Sequence, residues 1–177
     1  MDPIAGTVLT TIPDPTFENF VYEIGGSPVL GAPGSVFAAN YANGNAPTQV
    51  GNTLLDFDVN SATIAWQVAG RYPSTPAYAN GVLYIVNNKP LQLEARSEVN
   101  GALLWSWSPA AADTKFTSET LLTNNMVFVS TDIAVYGIDT TFHAAVWSYP
   151  FTGRLALSRN GILYLEGAAP LTAINLK

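Results

Sequence analysis

The sequence predicts an all-β chain assembled from repeated units, and three observations carry that prediction. Apolar segments are short, about five to eight residues, and clusters of Gly, Asn, Asp and Pro bound them. Twelve Pro and fourteen Gly are spread along the chain, and no stretch sustains a 3.6-residue pattern over three turns. The strands also repeat. Asn80-Gly81-Val82-Leu83-Tyr84 recurs as Asn124-Asn125-Met126-Val127-Phe128 and as Asn160-Gly161-Ile162-Leu163-Tyr164, and Pro33-Gly34-Ser35-Val36-Phe37 is a looser copy.

Trp66, Trp105 and Trp147 follow three of these copies, at spacings of 39 and 42 residues. A period near 40 with four short strands per unit points to the blades of a β-propeller. Antiparallel four-stranded sheets cannot bury both faces alone, so blades stack and bury them against each other. With strands lettered A to D from the axis outward, blade one covers 27–69, blade two 72–108 and blade three 116–151. A fourth begins at Arg154, and Ala173-Ile174-Asn175 occupies its third strand. Residues 1–16 read as an N-terminal extension, and 17–24 fit a D strand able to close the fourth blade. Three arrangements satisfy that arithmetic: a four-bladed ring, a homodimer in which each chain supplies half of an eight-bladed ring, or part of a longer propeller. The Asn-Gly pairs at 80–81 and 160–161 supply the φ > 0 residues of tight connections.

Each tryptophan closes a recurring stretch: Phe57 to Ala65 before Trp66, Ala95 to Leu104 before Trp105, and Gly137 to Val146 before Trp147. This grammar resembles the A-x-D-x-x-T-G-x-x-x-W repeat of the PQQ-like, or quinoprotein-type, β-propellers. The resemblance implies that the tryptophan packs between blades and that the Asp caps the turn between the third and fourth strands. Asp58 and Asp139 match the Asp position, where Ser97 departs from it. Gly101 matches the Gly position, where Ala62 and His143 depart. The family's enzymes use pyrroloquinoline quinone and calcium, and a vicinal disulfide is typical of the alcohol dehydrogenases among them. Eight blades is the family's usual number.

Composition argues against that chemistry here. The 177 residues contain no Cys and one His, so there is no disulfide, no thiolate nucleophile, no Cys-ligated zinc and no His-rich metal site. No Glu/Asn/Asp set maps onto the quinoprotein metal site, and no cofactor or metal is expected. Asp56, Asp58 and Asn60 open like a calcium loop, but Ser61 stands at the glycine place and Gln67 at the bidentate Glu place. His143 reads as an exposed turn residue, and Trp107 as packing beside Trp105. Seven cations against thirteen anions give a net charge of −6, a poor basis for nucleic-acid binding. No apolar run approaches a membrane span, and Met1 to Gly6 lack the features of a signal peptide. A polar surface carried by Thr, Asn and Ser, with 11% charged residues, hints at an extracellular, periplasmic or cell-surface setting.

The functional expectation is therefore geometric. In a propeller the D–A and B–C connections emerge on one face, and loops on a rigid scaffold carry function. That face gathers Tyr41, Asn43 and Asn45 from the longest B–C loop, then Arg71, Tyr72, Asn88, Lys89, Lys115, Asp132 and Arg154. Four of the seven cations fall in these loops. A face of Asn, Tyr and a few charges suits a protein partner or a glycan. The sequence thus predicts a non-catalytic binding or scaffolding module. A carbohydrate-binding module and a fragment of a quinoprotein dehydrogenase are the alternatives.

Overall fold

The computed structural model describes residues 6–8, 10–13, 22–24, 26–42, 53–168 and 170–177. It is all-β and propeller-like, with four antiparallel sheets that follow one another in sequence order. Blade one is β1 (Tyr22–Ile24), β2 (Val29–Leu30), β3 (Ser35–Ala42), β4 (Thr53–Asp58) and β5 (Thr63–Ala69). Blade two is β6 (Ala77–Ala79), β7 (Val82–Asn88), β8 (Leu91–Ser97) and β9 (Leu103–Trp107). Blade three is β10 (Leu121–Leu122), β11 (Met126–Ser130), β12 (Val135–Asp139) and β13 (Ala144–Tyr149). Blade four has three described strands: β14 (Arg154–Leu157), β15 (Ile162–Glu166) and β16 (Thr172–Asn175). The inner strands β2, β6, β10 and β14 contact one another in that order. Among the described residues no helix is long and apolar enough to cross a membrane.

The placement of 17–24 differs from the expectation of a D strand closing the fourth blade. Residues 17–21 lie outside the described residues. Tyr22–Ile24 pairs with β3, Ile24 opposite Asn40, on the edge where Val29 pairs with Phe37. It therefore extends the inner strand of blade one. Between the two pairings one strand uses more residues than the other. Gly26 and Pro28 sit in that interruption, and Pro28 has no N–H to give to the ladder.

Tight turns follow the local chemistry. Asn80 and Gly81 both have positive φ (52° and 79°), as a two-residue hairpin between β6 and β7 requires. At the turn between the third and fourth strands, Asp58 Oδ1 accepts from the Asn60 N–H at 2.9 Å. Asp139 Oδ1 accepts from Thr141 and Phe142 at 2.7 and 2.9 Å. Ser97, which breaks the Asp pattern, does the same task with a hydroxyl: its Oγ accepts from Val99 at 3.2 Å. These turns end at Ala62, Gly101 and His143, with φ of 55°, 69° and 55°. The backbone thus keeps its left-handed geometry whether or not glycine is there.

A regularity invisible in the sequence lies opposite these turns. The pairing of third and fourth strands slips after Asp56, after Ala95 and after Gly137, leaving Ala65, Leu104 and Val146 as the extra residues. One bulge in each of the first three blades, at one place, sharpens the twist of the outer strand. The register also sets Trp66 opposite Asp56, Trp105 opposite Ala95 and Trp147 opposite Gly137.

The core consists of three layers between blades. Phe37, Leu54, Trp66, Leu83 and Ile85 fill the first. Leu93, Val127, Val129 and Ile138, with Tyr84, Trp105 and Trp107, fill the second. Phe128, Leu155, Leu163 and Leu165, with Trp147, fill the third. In each layer a second-strand aromatic meets the tryptophan of its own blade. Phe37 and Trp66 are 5.9 Å apart, Tyr84 and Trp105 5.9 Å, and Phe128 and Trp147 6.2 Å between ring centroids. Trp107 packs on Tyr136 at 5.0 Å.

Candidate functional site

Among the described residues, hydrogen bonds stitch the D–A and B–C loops together from blade to blade. The D–A loop after blade one meets the hairpin of blade two through Arg71. Its N–H donates to Asn87 Oδ1 at 2.9 Å, and its carbonyl accepts from the Asn88 N–H at 2.7 Å. Asn88 Oδ1 in turn accepts from the Phe116 N–H at 2.9 Å, fastening the next D–A loop. That loop is held to blade three by Asp132. Its carboxylate accepts from the Thr114 N–H at 2.9 Å and from the Thr114 hydroxyl, and its own N–H donates to the Lys115 carbonyl at 3.1 Å. Those donors, the Thr114 hydroxyl first, hold the Asp132 carboxyl below the usual aspartate range. The last D–A loop is tied the same way: Thr152 donates to the Thr131 carbonyl at 2.9 Å, and the Gly153 N–H to Ser130 Oγ at 3.2 Å.

This arrangement redistributes the sequence-predicted residues. Lys89, Lys115 and Arg154 are exposed, Lys89 and Lys115 in loops and Arg154 at the start of β14. Arg71 is half-buried, and its backbone serves as an anchor. Asn88 and Asp132 spend their side chains on neighbouring loops, so they shape the face more than they offer it. Tyr41 lies near the end of β3, its backbone opposite Glu23. Asn43 and Asn45 lie outside the described residues.

Tyr72 is the clear correction. It is wholly buried in the first layer and belongs to no binding surface. Its hydroxyl donates to Glu94 Oε2 at 3.2 Å. Burial first, then the Glu94 charge, raises its pKa well above that of an ordinary tyrosine. Replacing it would open the core, so it cannot report on a loop face.

Glu94 itself is the hub that sequence reasoning missed. It is 1% exposed and accepts four hydrogen bonds: from Arg96 Nε at 2.6 Å, Gln92 Nε2 at 2.7 Å, Asn87 Nδ2 at 2.9 Å and the Tyr72 hydroxyl. Arg96 also donates to the Gly101 carbonyl at 2.7 Å. Burial alone would raise the Glu94 pKa, but the donors, Arg96 foremost, outweigh it and hold the carboxyl below the usual glutamate range. The alternation of β8 is the available signal: Glu94 and Arg96 stand at inward positions of a strand whose neighbours Leu93 and Ala95 are fully buried too.

The repeat residues fall at the seams between blades. Trp66 donates through Nε1 to the Glu98 carbonyl at 2.7 Å, and its ring lies so close to Gly101 that a Cβ there would sit 2.6 Å from Trp66 Cε3. Trp105 instead stacks on His143, centroids 4.5 Å apart and planes 14° from parallel. His143 is thus an exposed turn residue that also covers the tryptophan of the preceding blade. The acidic run splits: Asp58 caps its turn, and Asp56 is buried beside the Ser35 hydroxyl, where desolvation raises its pKa.

No family model and no curated protein matches the chain. Solved structures do. The crystal structure of BamB from Moraxella catarrhalis, a β-propeller, matches 86% of this chain and 50% of its own length, at 14% identity and TM-score 0.65. KlHsv2 with loop 6CD replaced by a Gly-Ser linker matches 88% of this chain and 50% of its own, at 10% identity and TM-score 0.57. Kluyveromyces lactis Hsv2 matches 81% and 42%, at 11% identity and TM-score 0.54. The chain spans half or less of the length of each. At such identities the likeness is one of fold.

Proposed function

We propose that this chain is a non-catalytic protein-interaction module of the PQQ-like propeller type that binds through its D–A/B–C loop face. One observation carries the reading. The three described D–A loops are each hydrogen-bonded to a B–C hairpin, while Lys89, Lys115 and Arg154 remain exposed. A preorganised surface loses little entropy on binding. Three exposed cations on a chain of net charge −6 make this face locally complementary to a carboxylate-bearing protein surface. The tryptophan seams and capped turns support the family assignment.

The test is capture from the source's own extract with the wild-type chain and with Lys89→Glu/Lys115→Glu/Arg154→Glu, both matched for melting temperature. The expected result is that the triple variant loses the partners held by the wild type. Retention of the same partners would remove this face, and binding confined to a glycan array would favour the carbohydrate reading. Quinone- and calcium-dependent dye reduction would overturn the non-catalytic assignment.

A further inference from the structure

The fourth blade repeats the pattern of the other three, but the face it turns away from blade three is bare. Pairing sets Ala156 opposite Tyr164 and Tyr164 opposite Ala173, so these three share that face. Their counterparts in the repeat are covered by the next blade. Ala77 and Leu121, opposite Tyr84 and Phe128 as Ala156 is opposite Tyr164, are half-buried where Ala156 is exposed. Asp56, Ala95 and Gly137 are buried where Ala173 is exposed. A cavity of about 570 Å³ opens there, with Tyr164, Glu166 and Leu171 among its walls. Tyr164 holds the place of Phe37 and Phe128, the aromatics that meet a tryptophan in blades one and three.

The face that would cover it exists on the same chain. Blade two covers blade one with Leu83 and Ile85, blade three covers blade two with Val127 and Val129, and blade four covers blade three with Leu163 and Leu165. The matching positions in blade one are Val36 and Ala38, which alternate with the inward Phe37 and lie on the face away from blade two. Leu30, opposite Val36, is 75% exposed beside them. One chain therefore carries both halves of a seam, at opposite ends of its row of blades. A chain that aligns with half of BamB leaves room for a second four-blade set in such a ring.

We propose that the Tyr164 face of blade four takes blade one of a second copy of this chain, head to tail, so that two copies close one ring through two identical seams. Heterologous contacts of this kind generate a closed ring when the rotation permits and a filament when it does not. Each seam would bury the exposed Ala156 and Ala173 of one copy under Leu30 and Val36 of the other.

The test is light scattering on the full chain from about 1 to 100 μM. The expected mass is twice 18.8 kDa. Tyr164→Arg and, separately, Val36→Arg should each return it to 18.8 kDa, with association weakened more than about a hundredfold and circular dichroism unchanged. Ala173→Glu, at an exposed position, replaces Tyr164→Arg if that variant unfolds. A wild-type mass of 18.8 kDa throughout overturns the proposal, and is what blades supplied by a longer polypeptide or by another protein would give. A dimer broken by Tyr164→Arg but untouched by Val36→Arg would be blade four on blade four, which also overturns it.

Discussion

The seam between blades one and two and the seam between blades two and three solve one packing problem with different chemistry. In the first, Trp66 is buried, bonded to the Glu98 carbonyl and pressed against Gly101. Beside it lies an ionic cluster around Glu94 and Arg96. In the second, Trp105 is half-buried and capped by the imidazole of His143. Its polar support contains no buried cation among the described residues. Asp113 accepts from the Thr131 and Tyr136 hydroxyls, and the Ser130 N–H donates to Ser118 Oγ at 2.9 Å. The comparison teaches that the repeat dictates a shape at the seam and leaves the atoms that fill it free. Charge concentrated on one hub makes a brittle seam, whereas hydroxyls spread over several residues make a tolerant one.

The largest expected effect is at the hub. Glu94→Ala leaves the Arg96 guanidinium buried and without its carboxylate, at a cost of about 3–5 kcal/mol. Asp113→Ala strips two hydroxyls of an acceptor but leaves no buried charge, at a cost of about 1–3 kcal/mol. Urea denaturation of both variants measures the gap, and equal losses would erase the contrast between the seams.

The next effect is at the covering residue. Gly101→Val puts a branched side chain at φ 69°, against the Trp66 ring, and should cost about 2–4 kcal/mol. His143→Gly relieves a left-handed histidine while removing a ring stack, each worth about 1 kcal/mol, so its melting temperature should barely move. A large loss at His143 would show the stack to be a principal support of that seam.

The smallest effect is in pH. The Glu94 carboxyl is held below its ordinary value, so its contribution is complete above about pH 4.3 and disappears as pH falls through the folded value. Asp56 has the opposite sign: burial raises its pKa, so ionising it weakens the fold as pH rises through that raised value. Thermal melts between about pH 3 and 6 should show an acid limb that Glu94→Gln flattens and Asp56→Asn leaves in place.

Much of the architecture was legible in the residues because its signals are local. Asn80-Gly81 specifies a turn by its own dihedral preference, and a tryptophan every 40 residues or so marks the seams. The loop face was legible as topology but less so as chemistry. Tyr72 looked like a surface aromatic because it follows Gly70-Arg71 in a connection, and the acceptor that draws it inward, Glu94, lies 22 residues away on another strand. Asn88 and Asp132 looked like ligand-binding groups because side-chain amides and carboxylates serve both purposes. Only the position of the Phe116 and Thr114 N–H groups shows that they are spent on the scaffold. Tyr22–Ile24 carries a strand pattern that fits either edge, and the pattern contains no information about which neighbour it will meet.

Sheets laid down in sequence order have a kinetic consequence. Strand pairing within each blade closes over segments of a few dozen residues, and Trp66 and Trp105 wait only for the turns at Gly101 and His143 in the following blade. A ribosome adding about 5–20 residues per second would release one blade every few seconds, each ready to template the next. Folding can then proceed as accretion from the first hairpin onward, with little need to search for distant partners.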